Sequence, residues 1–262
     1  MTGNYKIDKN NLYILSAKDI DFEAEEVLRK YFPEGLKEVR EIPIDQIIEK
    51  MGINLIYRRL SINKEILGGC IFETGKVEMY DEEGNKYYEI VDDHTIIINS
   101  DLADDNDIRY GSSVGHELGH YVTQGDLFFR DKNQIGLFDQ NPEDIAIICK
   151  RESNRISIMF QREPKELKTK YDWMEWQANY FSTAITVPKA SLMKALEKYS
   201  IKYKDVLDKP LLSNLERDEL LELVTRLSEG YNVSKELMAN RLRNLGLLYN
   251  KKFSEEVINL WS

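Results

Sequence analysis

The chain has 262 residues, 42% of them hydrophobic, and a formal net charge of −10. That length and apolar content allow a substantial core in one large domain or two. The acidic balance argues against direct nucleic-acid binding as the main activity, because duplex affinity comes largely from cationic neutralisation of phosphates. Met1-Thr2-Gly3-Asn4-Tyr5-Lys6 shows no apolar leader, and no run of about 18 apolar residues offers a membrane span, so no membrane partner is expected. The two cysteines, Cys70 and Cys149, are too few for a disulfide framework and lack paired metal spacing, which makes buried thiols in a reducing, cytoplasmic setting the expectation.

In chain order, a charged amphipathic helix is expected around Glu23 to Tyr31, followed by a second helix over Ile42 to Ile53 that ends near Gly52. Leu67 to Phe72, Lys76 to Tyr80 and Tyr87 to Val91 read as short strands, with Asp81-Glu82-Glu83-Gly84-Asn85 as a hairpin turn. His94-Thr95-Ile96-Ile97-Ile98-Asn99 is a β-branched run and predicts a further strand. These strands are expected to join in one small, twisted sheet, whose edge could receive an extended peptide. Asp101 to Asp107 reads as an acidic loop, from which Asp104, Asp105 or Asp107 could cap the next helix. That helix carries Ile108, Val114, Leu118 and Val122, with Gly125 as the expected stop. Gly111, Gly115 and Gly119 recur along it every four residues, each at a cost of about 1 kcal/mol relative to alanine, so a close neighbour is expected along that stripe.

The helix also bears His116-Glu117-Leu118-Gly119-His120, two of the only three histidines in the chain. Positions i and i+4 stand one above the other on a helix, with Cβ atoms roughly 5 to 6 Å apart, so both imidazoles can reach one ion. Glu117 is turned about 100° from His116, beside such an ion instead of on it, where a general base belongs. A catalytic zinc needs a third protein ligand and an open position for water. Candidates are His94, Cys70, Cys149 and the carboxylates, and Glu175 is the best of them. It lies in Asp172-Trp173-Met174-Glu175-Trp176-Gln177-Ala178-Asn179-Tyr180-Phe181, a helical run that should stop before Pro188. Glu175, Ala178 and Asn179 share a face, offering a carboxylate, a small residue for close approach and an amide to hold a ligand histidine. Tyr110 and Tyr121, on the Glu117 side of the first helix, and His94, at the start of its strand, are candidate donors to a developing oxyanion, although a surface or capping role also suits His94.

Together the Ile98-Asn99 strand end, the His116 to His120 motif, Glu175 to Phe181 and Val187-Pro188 resemble the ImmA/IrrE family of metallo-endopeptidases. The resemblance implies an α+β fold: a zincin-like catalytic core whose sheet packs on the His116 to His120 helix, then a helical C-terminal region. It implies one zinc ion per chain, held by His116, His120 and Glu175, with Glu117 as the base that accepts a proton from water during peptide hydrolysis. The implied substrate is a protein, a transcriptional repressor or similar DNA-binding regulator. Residues 1–90 then supply the N-terminal helices and first strands, 91–200 the zinc-binding core, and 201–262 the helical end, where Tyr231 to Leu237 and Arg241 to Leu247 match the region that follows such cores.

Two departures stand out. Residues of about 126–170 look like an insertion, serving either as a lid or as added packing. Asn179 stands where a relative carries aspartate, and its amide orients a histidine without adding negative charge. Two rival readings remain: a zinc-containing module that docks on a transcription regulator with little proteolysis, and a DNA-binding protein using Lys235, Arg241 and Arg243 in a helix-turn-helix.

Overall fold

The computed structural model describes residues 1–9, 12–104, 109–132, 148–152, 167–200, 212, 215 and 217–248. They form a mixed α+β structure that divides into two compact units, Met1–Glu23 with Pro43–Ser182, and Ala24–Ile42 with Thr183–Ser262.

Helix α1, Ala17–Tyr31, starts six residues before the expected Glu23. The earlier start has a local cause, a capping box in which Ser16 Oγ accepts from the Asp19 N–H while the Asp19 carboxylate accepts from the Ser16 N–H at 2.8 Å. In the first unit, α2 (Ile44–Lys50) ends near Gly52 as expected. Gly52 adopts φ +73°, and the Ile53 N–H reaches back to Ile48 O at 3.2 Å, a helix stop that needs the left-handed conformation.

Among the described residues six strands follow: β1 (Asn54–Arg58), β2 (Ile66–Ile71), β3 (Gly75–Tyr80), β4 (Lys86–Val91), β5 (Thr95–Asn99) and β6 (Ile148–Glu152). They make two sheets where one was expected: a four-stranded sheet in the order β1-β5-β2-β6, and the separate hairpin β3-β4. The hairpin packs on the larger sheet through its alternate apolar positions, burying Val77, Met79 and Val91 with Leu60, Ile71 and Ile97. Its turn is the expected one, closed by Asn85 N–H to Asp81 Oδ1 at 2.7 Å. In the larger sheet β1 runs parallel to β5, while β2 is antiparallel to β5, with Gly68 opposite Ile98, and to β6. All five residues of β5 are buried, as its β-branched run implies.

Asp101 to Asp107 is not wholly a loop, since Ser100–Asp104 forms a short helix, α3, directly after β5. The following helix, α4 (Arg109–Lys132), carries the His116 motif and packs against β2 and β5. It does not stop at Gly125: that residue is buried within the helix, and the apolar Leu127 beyond it is buried too. A glycine weakens a helix by about 1 kcal/mol but ends one only where the chain turns left-handed. Of the glycine stripe, Gly119 has a close neighbour, and Gly111 has none within 4 Å among the described residues. The caps expected at Asp105 and Asp107, the core position Ile108 and most of the 126–170 segment lie outside the described residues. Helix α5 (Lys170–Thr186) ends before Pro188 as expected, and opens on Thr169 and Asp172, each accepting the other's backbone N–H at 3.0 Å.

The second unit holds a 3-10 turn (Pro33–Leu36), α6 (Lys189–Ser200), α7 (Arg217–Tyr231) and α8 (Lys235–Asn244) around a core that includes Leu192, Leu223, Tyr231, Met238 and Leu242. Ser234 caps α8, accepting from Leu237 N–H at 3.0 Å. Arg241, counted among the cations of a helix-turn-helix, is fully buried and donates through Nε to Val187 O at 3.0 Å. It is therefore not on a surface that could meet phosphate. Among the described residues no helix is long and apolar enough to cross a membrane.

Candidate metal centre

The site lies in the first unit, where α4 and α5 meet. Gly119 is what lets them meet: a Cβ there would fall 2.8 Å from Ala178 O and 2.9 Å from Ala178 Cα, so only glycine permits this separation. A hydrogen bond from Ser182 Oγ to Ser112 O, 2.7 Å, also joins the two helices. The close approach presents His116 and His120 of α4 to Glu175 of α5.

These three side chains are buried, with exposures of 1%, 0% and 3%. Their ligating atoms lie within 4.8 Å of one another, a group that could hold a metal ion. The two Nε2 atoms are 3.0 Å apart, and the Glu175 carboxylate lies 3.1 Å from His120 Nε2 and 3.5 Å from His116 Nε2.

The remaining ring nitrogens say what those atoms can do. His116 Nδ1 is 3.1 Å from Asn179 Oδ1, and His120 Nδ1 is 2.6 Å from Gln124 Oε1. Amide oxygens only accept, so each Nδ1 carries a proton and donates it. In the neutral rings both Nε2 lone pairs then point into the space that the carboxylate also faces. Three electron-pair donors converging without a proton between them are costly in a buried place, and a cation relieves that cost. The donor set therefore fits a metal.

His120 responds to the same field. Burial pushes its pKa down, but the Glu175 carboxylate, with smaller contributions from Glu117 and the Gln124 hydrogen bond, outweighs that and leaves it above the usual imidazole value.

Glu117 is fully buried but outside the ligand cluster. Its carboxylate lies against β2 at Gly68, where a Cβ would be 2.9 Å from Glu117 Oε1. The absence of a side chain at Gly68 thus makes room for Glu117 between helix and sheet.

The oxyanion candidates have hydrogen-bond partners of their own. Tyr110 Oη donates to Asp45 Oδ2 at 2.6 Å and is 2.7 Å from Tyr57 Oη; burial, and then these bonds, push its pKa up. Tyr121 Oη and His94 Nδ1 are 2.7 Å apart, so two of the three candidates pair with one another. His94 is exposed, at φ +56°, and its carbonyl accepts from Asn54 N–H at 2.9 Å.

Sequence reasoning brought together His116, His120, Glu175 and Asn179, but missed Gly68, Gln124 and Gln177. Gln124 was within reach, since it stands at i+4 from His120 on the stripe that already holds both histidines. Gly68 and Gln177 act through tertiary neighbours that no spacing reveals. The sequence matches no protein-family model and, at a significant level, no curated protein.

Proposed function

We propose that this chain is a zinc-dependent endopeptidase with a zincin-like core, as its resemblance to the ImmA/IrrE metallo-endopeptidases implies. The observation that carries this reading is the buried convergence of His116, His120 and Glu175 on two helices, with Glu117 buried next in sequence to the first ligand. Two imidazoles and one carboxylate are the protein ligands of hydrolytic zinc sites that keep a position open for water, whereas calcium and magnesium favour oxygen alone. When bound, the ion would supply Lewis acidity, lowering the pKa of a water toward about 7 and polarising the scissile carbonyl.

The chain supplies the rest. Asn179 and Gln124 hold the two rings with Nε2 facing the cluster. Glu117, next to His116 on α4 but outside the ligand cluster, takes a proton from water at a carboxylate oxygen and returns it to the leaving amine. An acidic chain, at −10 net charge, suits a basic partner, and DNA-binding regulators are such partners.

The test is Glu117→Gln, close to isosteric but unable to accept a proton at neutral pH. Purified wild type and variant are incubated with a DNA-binding regulator encoded beside the gene, and cleavage is followed by gel together with derepression in cells. Zinc content and binding of the regulator should persist in the variant while cleavage falls by about 10² to 10⁴-fold. A variant that relieves repression as well as wild type would replace hydrolysis with docking.

A further inference from the structure

His120 is held from behind by more than one residue. Gln124 Oε1 accepts from its Nδ1 at 2.6 Å, and Gln124 is itself fixed: Nε2 donates to Met174 O and to Gln177 Oε1, both at 3.3 Å. Gln177 is fixed in turn, its Nε2 donating to Tyr13 O at 2.8 Å. Both glutamines are buried, Gln124 fully and Gln177 at 1% exposure.

The direction of this series has one solution. Backbone carbonyls only accept, so Gln177 must turn its NH₂ to Tyr13 and its oxygen to Gln124. Gln124 must then turn its NH₂ to Gln177 and Met174, and its oxygen to His120. A ring facing an oxygen at Nδ1 must carry its proton there, which leaves Nε2 as the electron-pair donor facing Glu175 and His116. Reversing any one amide would set oxygen against oxygen or NH₂ against N–H inside a buried site, where each unmade bond costs about 1 to 3 kcal/mol.

We propose that Gln124 is a positioning residue for the metal centre, with Gln177 and the Tyr13 carbonyl fixing its sense, so that the tautomer of His120 is set by a relay of neutral amides. This inference rests on the metal-centre reading. At His116 the Asn179 amide takes the same position relative to the ring.

The experiment compares zinc affinity of wild type, Gln124→Met, Gln124→Glu and Gln177→Leu by competition with a chromophoric zinc chelator, with unfolding curves to show that each variant is folded. Methionine fills the space without an acceptor and should weaken zinc binding by about 10 to 100-fold. Glutamate loses the donor side of the relay, and so some fold stability, but keeps an acceptor for the ring N–H and adds negative charge. Its zinc affinity should match or exceed that of wild type. Gln177→Leu should lose less than Gln124→Met. A purely packing role would make buried glutamate the most damaging of the three for zinc as well as for folding.

A second readout does not depend on affinity: in zinc-loaded, ¹⁵N-labelled wild type the His120 Nδ1–H should exchange slowly with solvent, and in Gln124→Met it should exchange fast. Zinc affinity in Gln124→Met within twofold of wild type, or Gln124→Glu weaker than Gln124→Met, overturns the inference. A wild type that takes up no zinc overturns the metal-centre reading instead.

Discussion

Replacing glycine by alanine at two places on α4 should have opposite effects, because the same methyl group meets open space at one and backbone at the other. At Gly111 no atom of the described residues lies within 4 Å of the added Cβ. The substitution there should gain about 0.4 to 1 kcal/mol, from helix propensity and a less disordered unfolded chain. At Gly119 the same gain applies, but the Cβ would sit 2.8 Å from Ala178 O, 2.9 Å from Ala178 Cα and 3.2 Å from Phe181 Cβ. Ordinary contact begins near 3.4 Å, so α5 would have to retreat by roughly half an ångström, and two of the three obstructing atoms are backbone that cannot rotate away. Overpacking of this kind costs typically 1 to 3 kcal/mol. Set against the propensity gain, the net loss at Gly119 is about 1 to 2 kcal/mol, a five- to thirtyfold change in the unfolding equilibrium. Urea unfolding of the metal-free variants measures both, and zinc uptake reports the site, since a displaced α5 carries Glu175 away from both histidines. If Gly119→Ala is as stable as Gly111→Ala and binds zinc as wild type does, close helix approach is not what builds the site.

Tyr110→Phe should cost about 1 to 2 kcal/mol, since Asp45 loses a hydroxyl donor at 2.6 Å, and should leave cleavage of the regulator within about threefold of wild type. A loss of 10² or more would return Tyr110 to the role of oxyanion donor. In the second unit, burial pushes the Tyr231 phenol from its usual 10.0 up to about 12, outweighing the Ser191 hydrogen bond and the Arg241 charge, which both lower it. A raised value means the fold favours the neutral form, so this stabilisation is complete below about pH 10 and is lost as pH rises toward 12, amounting to about 2 kcal/mol. Unfolding curves between pH 9 and 12 should show a shallower fall for Tyr231→Phe than for wild type, and parallel curves would contradict the assignment.

What the sequence revealed follows from how local each signal is. Hairpin β3-β4 and strand β5 were legible because alternation, a β-branched run and the Asp81 to Asn85 turn are carried by neighbouring residues. So was the pair His116 and His120, whose helical spacing places two rings on one ion. Glu175, 55 residues after His120, had a helical face shared with Ala178 and Asn179 and then the family resemblance to single it out, because nothing in the chain's local pattern states that α5 lies on Gly119. Strand β1 went unseen: Asn-Leu-Ile-Tyr-Arg at a sheet edge keeps two of its five residues exposed and shows no clean alternation. Gly125 misled because a buried glycine inside a packed helix and a terminating glycine look alike until the backbone angle is known. The amides of Gln124 and Gln177 are chosen by a carbonyl at Tyr13, far away in sequence, and no spacing could have shown it.

The central claim is that His116, His120 and Glu175 form one zinc site through the histidine Nε2 atoms. Anomalous diffraction from crystals of the zinc-loaded protein, collected on both sides of the zinc edge, tests it directly. The account predicts one peak per chain, about 2.0 to 2.1 Å from each Nε2 and about 2.0 to 2.2 Å from a Glu175 oxygen, with Nδ1 of His120 still against Gln124. A peak bound through Nδ1, a peak that leaves Glu175 outside its ligands, or no peak at this cluster would contradict it.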